Sequence, residues 1–82
     1  RKREDTRISE VSFAFELEKA IYEAALHRDD DLIARRYMID KWAQADIAAE
    51  LGWERSTISR HIPHIFEEVG RAAARITQID HK

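Results

Sequence analysis

Apolar residues recur at three- and four-residue spacing through most of the chain, the pattern of amphipathic helices rather than of strands. Starting at Ser9 or Ser12, this pattern predicts a first helix running to about Leu26. The polar run 27–31 reads as a connector, its last carboxylates placed to cap a second helix over about residues 32–41 and to favour the positive end of its dipole. A third, short helix is expected over residues 44–51, ended by Gly52, the residue type that most easily turns left-handed. A fourth starts near Arg55 or Ser56. Pro63 either kinks it or opens a new helix as its first residue, and helical spacing continues to about Ile79. No stretch alternates as a strand would, and no internal repeat or linker interrupts the pattern. The expected fold is a small all-α domain of four to five helices over residues 9–80, with a long C-terminal helix, behind a charged lead-in at residues 1–8.

Two of these helices carry more apolar surface than a short helical unit needs. At 100° per residue, Phe13, Leu17, Ala20, Ile21 and Ala24 form one stripe of the first helix, and Val11, Phe15, Tyr22 and Leu26 form another on the opposite side. The last helix carries Ile62, Ile65, Val69, Ala72, Ile76 and Ile79 at alternating three- and four-residue steps, with Gly70 and Ala73 or Ala74 small enough to admit a neighbouring helix. Either the two helices pack on each other within one monomer, or they form a symmetric dimer. The dimer is the expectation adopted, with Val11, Phe15, Tyr22, Leu26, Val69, Ala72, Ile76 and Ile79 at its interface.

The stretch 44–62 carries the functional signal. Two short helices that cross steeply need a small residue at the crossing, and Ala48 and Ala49 supply it. Ile47 and Leu51, one turn apart, anchor the first helix inward; Gly52 makes the turn; Ile58 and Ile62 face inward from the second helix, with Trp53 closing the corner. That leaves Arg55, Ser56, Ser59 and Arg60 facing outward and Glu54 at the helix entrance. Hydroxyls and guanidinium groups are the chemistry that meets phosphate oxygens and base edges in a major groove. On this reading Glu54, Arg55, Ser56, Ser59 and Arg60 are base or near-base contacts, and Gln44, Thr57 and His64 are phosphate contacts, with a recognition helix over residues 55–64.

The pattern Ile47-Ala48-x-x-Leu51-Gly52-x-x-x-Ser56-Thr57-Ile58-Ser59-Arg60-His61-Ile62 resembles the helix-turn-helix of sigma-factor region four, of LuxR-type regulators and of sigma-like phage regulators. The likeness extends back through 17–21 and 32–42, covering roughly residues 16–69. It departs at three places. Glu54 stands where those families usually place a Ser or Thr cap, no Gly lies between Tyr37 and Gln44, where the spacing is about one residue long, and Pro63 follows the recognition segment. The resemblance implies sequence-specific binding of double-stranded DNA for bacterial or phage transcription regulation, and the leftover apolar stripes add the expectation of a homodimer. Two alternatives stand beside it: a region-four-like domain working with RNA polymerase at promoters, and a helical adaptor that binds protein and no DNA.

Composition narrows the rest. Without Cys there is no disulfide framework and no thiolate chemistry, and with 82 residues there is no room for an enzyme-sized cleft. His61 and His64 stand three apart without a third spaced ligand, and Glu67-Glu68 read as helix surface, so no enzyme, metal or cofactor is expected. Trp42 and Trp53 read as core or hinge residues, while Arg35 and Arg36 serve either the DNA backbone or a solvated surface. No apolar run approaches the length of a membrane span and no signal peptide is read, so a soluble, cytoplasmic protein is expected. The chain opens on Arg1 without Met, which reads as a piece of a longer parent. Formal net charge is −2, and residues 27–64 hold six Lys or Arg against seven Asp or Glu. Phosphate neutralisation dominates DNA affinity, so a single copy of so balanced a unit binds weakly, and pairing or tethering must supply the rest.

Overall fold

The computed structural model describes residues 16–80, with side chains described to residue 76. Four helices, and no strand among the described residues, make an all-α fold: α1 through residues 16–24, α2 at Arg28–Ala34, α3 at Gln44–Leu51 and α4 at Arg55–Asp80. Every helix sends isoleucine into one core. Ile21 of α1, Ile33 of α2, Ile47 of α3 and Ile58 and Ile65 of α4 are fully buried, and Ala20, Ala34, Ala48, Val69 and Ala72 join them. Small and β-branched residues thus meet where four helices converge, and α4 is the long element against which α2 and α3 pack.

The α3–α4 corner forms as its residues dictate. Gly52 takes φ 73° and ψ 28°, and the chain closes with Trp53 N–H on the Ala48 carbonyl at 2.9 Å and Gly52 N–H on the Ala49 carbonyl at 3.4 Å. This paired bonding satisfies carbonyls that the helix end leaves open. Space is not what demands glycine, since a Cβ there meets nothing within 4 Å; the left-handed backbone does. Gly52→Ala is therefore expected to lower stability by about 1–2 kcal/mol, with Gly52→Asn losing less, as read by denaturant unfolding.

Several expected boundaries move. The second helix begins at Arg28 rather than at 32, because Asp29, Asp30 and Asp31 occupy its first turn instead of preceding it, where negative charge favours the helix dipole. It runs on not as an α-helix to 41 but as a wider π-helical turn over Arg35–Ile39, closed by Asp40 N–H on the Arg35 carbonyl at 3.0 Å. The wide turn takes up chain before Gln44, and Lys41, though not a glycine, carries φ 64°. The first helix stops at residue 24, with Ala25 at φ 52° and Leu26 folding back onto the core. Pro63 neither starts a new helix nor divides α4; it sits inside one helix of 26 residues.

Among the described residues, the expected dimer surface belongs to the core except at Tyr22. Val69 and Ala72 are buried within the monomer, and Leu26 and Ile76 pack against the same cluster. The three- and four-residue spacing of α4 is its seam to its own α1, α2 and α3, a spacing that does not distinguish an internal partner from an external one. Gly70 has open space where a Cβ would stand, so it serves no close approach among the described residues. Among the described residues of the expected interface, Tyr22 is the one plainly exposed, at 74%. Val11, Phe13, Phe15 and the side chain of Ile79 lie outside the described residues, as does the lead-in 1–8.

Candidate nucleic-acid interface

The exposed face of α4 is set by the burial of the opposite face. With Ile58 and Ile65 in the core, residues 55, 56, 59, 60, 63 and 64 fall within about 180° on the outward side at 100° per residue, and all six are exposed. Glu54 is exposed at the helix entrance, where its carbonyl accepts Thr57 N–H at 3.0 Å and Ile58 N–H at 3.3 Å. Thr57 lies half-buried at the edge of the face. Of the sequence-predicted residues, Arg55, Ser56, Ser59, Arg60 and His64 thus share one surface, with Thr57 at its margin and Glu54 exposed just before the helix begins.

Gln44 joins them from α3. Its Oε1 accepts a hydrogen bond from Ser59 Oγ at 2.5 Å, and its Nε2 donates a long one of 3.5 Å to the Tyr37 hydroxyl. The chain Tyr37–Gln44–Ser59 ties the π-helical turn, the start of α3 and the outward face of α4 together. The part Tyr37 plays as partner of Gln44 escaped the sequence reading. Its seven-residue separation from Gln44 matches no simple helical step, and the wide turn between them has no pattern of its own.

The charges sort by whether they are already spent. Arg36 donates Nε and Nη2 to the two Glu50 carboxylate oxygens at 3.1 and 3.4 Å and Nη1 to Asp40 at 3.0 Å, and its guanidinium lies 4.7 Å from the Trp42 ring centre. Hydrogen bonds to Glu50 first and Asp40 second hold its pKa above the usual arginine value. Arg35 pairs with Asp31 at 2.9 Å and with Glu18 at 3.6 Å, and Arg71 pairs with Glu67 and Glu68. These arginines hold helices together or decorate them. Arg55 and Arg60 take part in no ion pair among the described residues, and both are exposed. The Arg36–Glu50 pair also neutralises a carboxylate of α3.

Behind the face, His61 Nδ1 meets Asp30 Oδ1 at 2.8 Å, and the His61 ring lies 5.1 Å from that of Trp53 in a tilted contact. Asp30, read in the sequence as a helix cap, instead fastens α2 to α4. No group of three or more His, Asp or Glu placed to hold a metal is found among the described residues, nor any helix long and apolar enough to cross a membrane.

A second surface is apolar. Phe66, 48% exposed, lies beside Leu17, Ala20, Met38, Gly70 and Ala73 in an open groove that continues past Tyr37 and Lys41 to Trp42. The sequence reading missed Phe66, which falls off the three- and four-residue seam of α4. Its signal was that very misfit: a large aromatic on the polar side of an amphipathic helix.

Among known proteins, no family model, no curated protein and no solved structure matches this chain. The functional reading rests on the residues themselves.

Proposed function

We propose that this domain binds double-stranded DNA through a helix-turn-helix formed by α3 and α4, with residues 55–64 in the major groove, and regulates bacterial or phage transcription. One observation carries the reading: Arg55, Ser56, Ser59 and Arg60 stand together on the exposed side of a helix whose other side is locked into the core. Arginines free of intramolecular ion pairs have guanidinium forks available for phosphate or guanine, and the neighbouring hydroxyls are short enough to let the helix approach base edges. The direct test is titration of duplex DNA at several salt concentrations. Affinity is expected to fall linearly on a log–log scale with a slope of about −0.9 per phosphate contacted. A domain that shows no salt-dependent duplex binding at low ionic strength is not a DNA reader, and the adaptor reading then stands in its place.

Two arginines without an ion pair among the described residues make a weak single head, so we place two copies on one site. The surface for a second copy is the groove around Phe66, a contiguous apolar area of the kind that marks partner sites. The parent is expected to scatter light as a dimer at tens of micromolar, and Phe66→Glu as a monomer with weakened DNA binding. A monomeric parent supports instead a region-four-like domain held at promoters by RNA polymerase.

A further inference from the structure

The Ser59 hydroxyl has one proton to donate and lone pairs with which to accept. In this fold the proton has a fixed destination. Ser59 Oγ lies 2.5 Å from Gln44 Oε1, a length that belongs to O–H···O bonds and is short for N–H···O. The amide therefore turns its oxygen to Ser59 and its nitrogen to the Tyr37 hydroxyl at 3.5 Å. Gln44 is half-buried at the first position of α3, so its side chain is braced from two elements, while Ser59 stays exposed on the outward face. With its proton spent inward, Ser59 offers only lone pairs outward.

We propose that Gln44 is a specificity-positioning residue: it turns Ser59 into a pure acceptor, so that the base facing Ser59 must carry a major-groove amino group. Resting on the DNA-binding reading above, this deepens it to a rule for one base position. Adenine presents N6–H₂ and cytosine N4–H₂ in the major groove, whereas guanine and thymine present only acceptors at the corresponding place. An acceptor-only Ser59 favours adenine or cytosine on the strand it faces and repels guanine and thymine. A freely rotating serine, able to donate or accept, tells none of the four apart. Gln44 then acts on DNA through Ser59 rather than through a phosphate.

The test is selection from a random duplex pool by the parent and by Ser59→Ala, Gln44→Ala and Gln44→Glu, each checked for folding by thermal melting. The parent is expected to show one position where adenine and cytosine exceed guanine and thymine by roughly 3- to 10-fold, the scale of one net hydrogen bond. Ser59→Ala, an exposed substitution, should flatten that position alone. Gln44→Ala should flatten the same position while leaving the others unchanged. Gln44→Glu keeps an acceptor for the Ser59 proton and should restore the preference, although its added negative charge lowers affinity at every sequence. A preference that survives Ser59→Ala or Gln44→Ala overturns the proposal while leaving DNA binding intact. A parent that selects no sequence and shows no salt-dependent binding overturns it together with the reading on which it rests.

Discussion

Ile58→Ala is expected to cost about 2–5 kcal/mol, the range for removing a branched aliphatic side chain from a closed core. Ile58 has no exposed surface and belongs to the isoleucine cluster to which all four helices contribute. The lost methyl and methylene groups forfeit their transfer free energy, and the cavity left among β-branched neighbours collapses only partly, because helices on every side hold its walls apart. A domain of 82 residues has a total stability of roughly 4–12 kcal/mol at the usual value per residue. The substitution therefore removes a large share of what there is. The melting temperature should fall by at least about 10 °C, and at the upper end of the range the chain unfolds at 37 °C. Ser56→Ala, two residues earlier on the exposed side, should stay within about 0.5 kcal/mol of the parent. Equal melting temperatures for the two variants would mean that α4 is rotated from the orientation described, and the outward face assigned to Arg55, Ser59 and Arg60 would rotate with it.

That dependence of the face on the core explains what the sequence made legible. α3 was readable to the residue because its signals are local: Gln44 opens an apolar repeat and Gly52 ends it, each acting through its own backbone. The inward and outward sides of α4 were readable as well, since a 3.6-residue period fixes relative angle whatever the partner is. The partner itself was not readable. Ile62, Ile65, Val69, Ala72 and Ile76 form the same pattern against another chain as against α1, α2 and α3, and the structure gives Val69 and Ala72 to the monomer. Contacts between distant residues left no trace in spacing either. Asp30 and His61 are 31 apart in sequence and Arg36 and Glu50 are 14 apart. Arg36–Asp40, Arg35–Asp31 and the pairs of Arg71 with Glu67 and Glu68 follow helical spacing, but each ties a helical stretch to itself rather than one element to another. The wide turn over Arg35–Ile39 had no signal of its own, and the left-handed backbone that follows it falls on Lys41 rather than on a glycine that would have marked it.

Arg60→Ala is expected to separate recognition from folding. Arg60 is exposed and takes part in no ion pair among the described residues, so its removal leaves no buried group unpaired and should change stability by no more than about 0.5 kcal/mol. Its place is one turn beyond Ser56 and next to Ser59, in the middle of the proposed reading face. A guanidinium there reaches guanine O6 and N7 with two parallel N–H donors, an interaction worth about 1–3 kcal/mol of discrimination, or roughly 5- to 150-fold. Arg60→Lys should recover little of this, because an ammonium is a point charge without the planar fork. Salt dependence tells a base contact from a phosphate contact. If Arg60 reads a base, Arg60→Ala loses affinity for the best site, loses preference at one position, and keeps the parent's salt slope. If it neutralises a phosphate, affinity falls alike on every sequence and the slope drops by about one. With Arg36 held by Glu50, Asp40 and Trp42, and Arg35 held by Asp31 and Glu18, Arg55, five residues earlier on α4, is the arginine left on that face when Arg60 is removed. Unchanged affinity, preference and slope in Arg60→Ala would remove the residue from the interface and leave the outward face of α4 without its central cation.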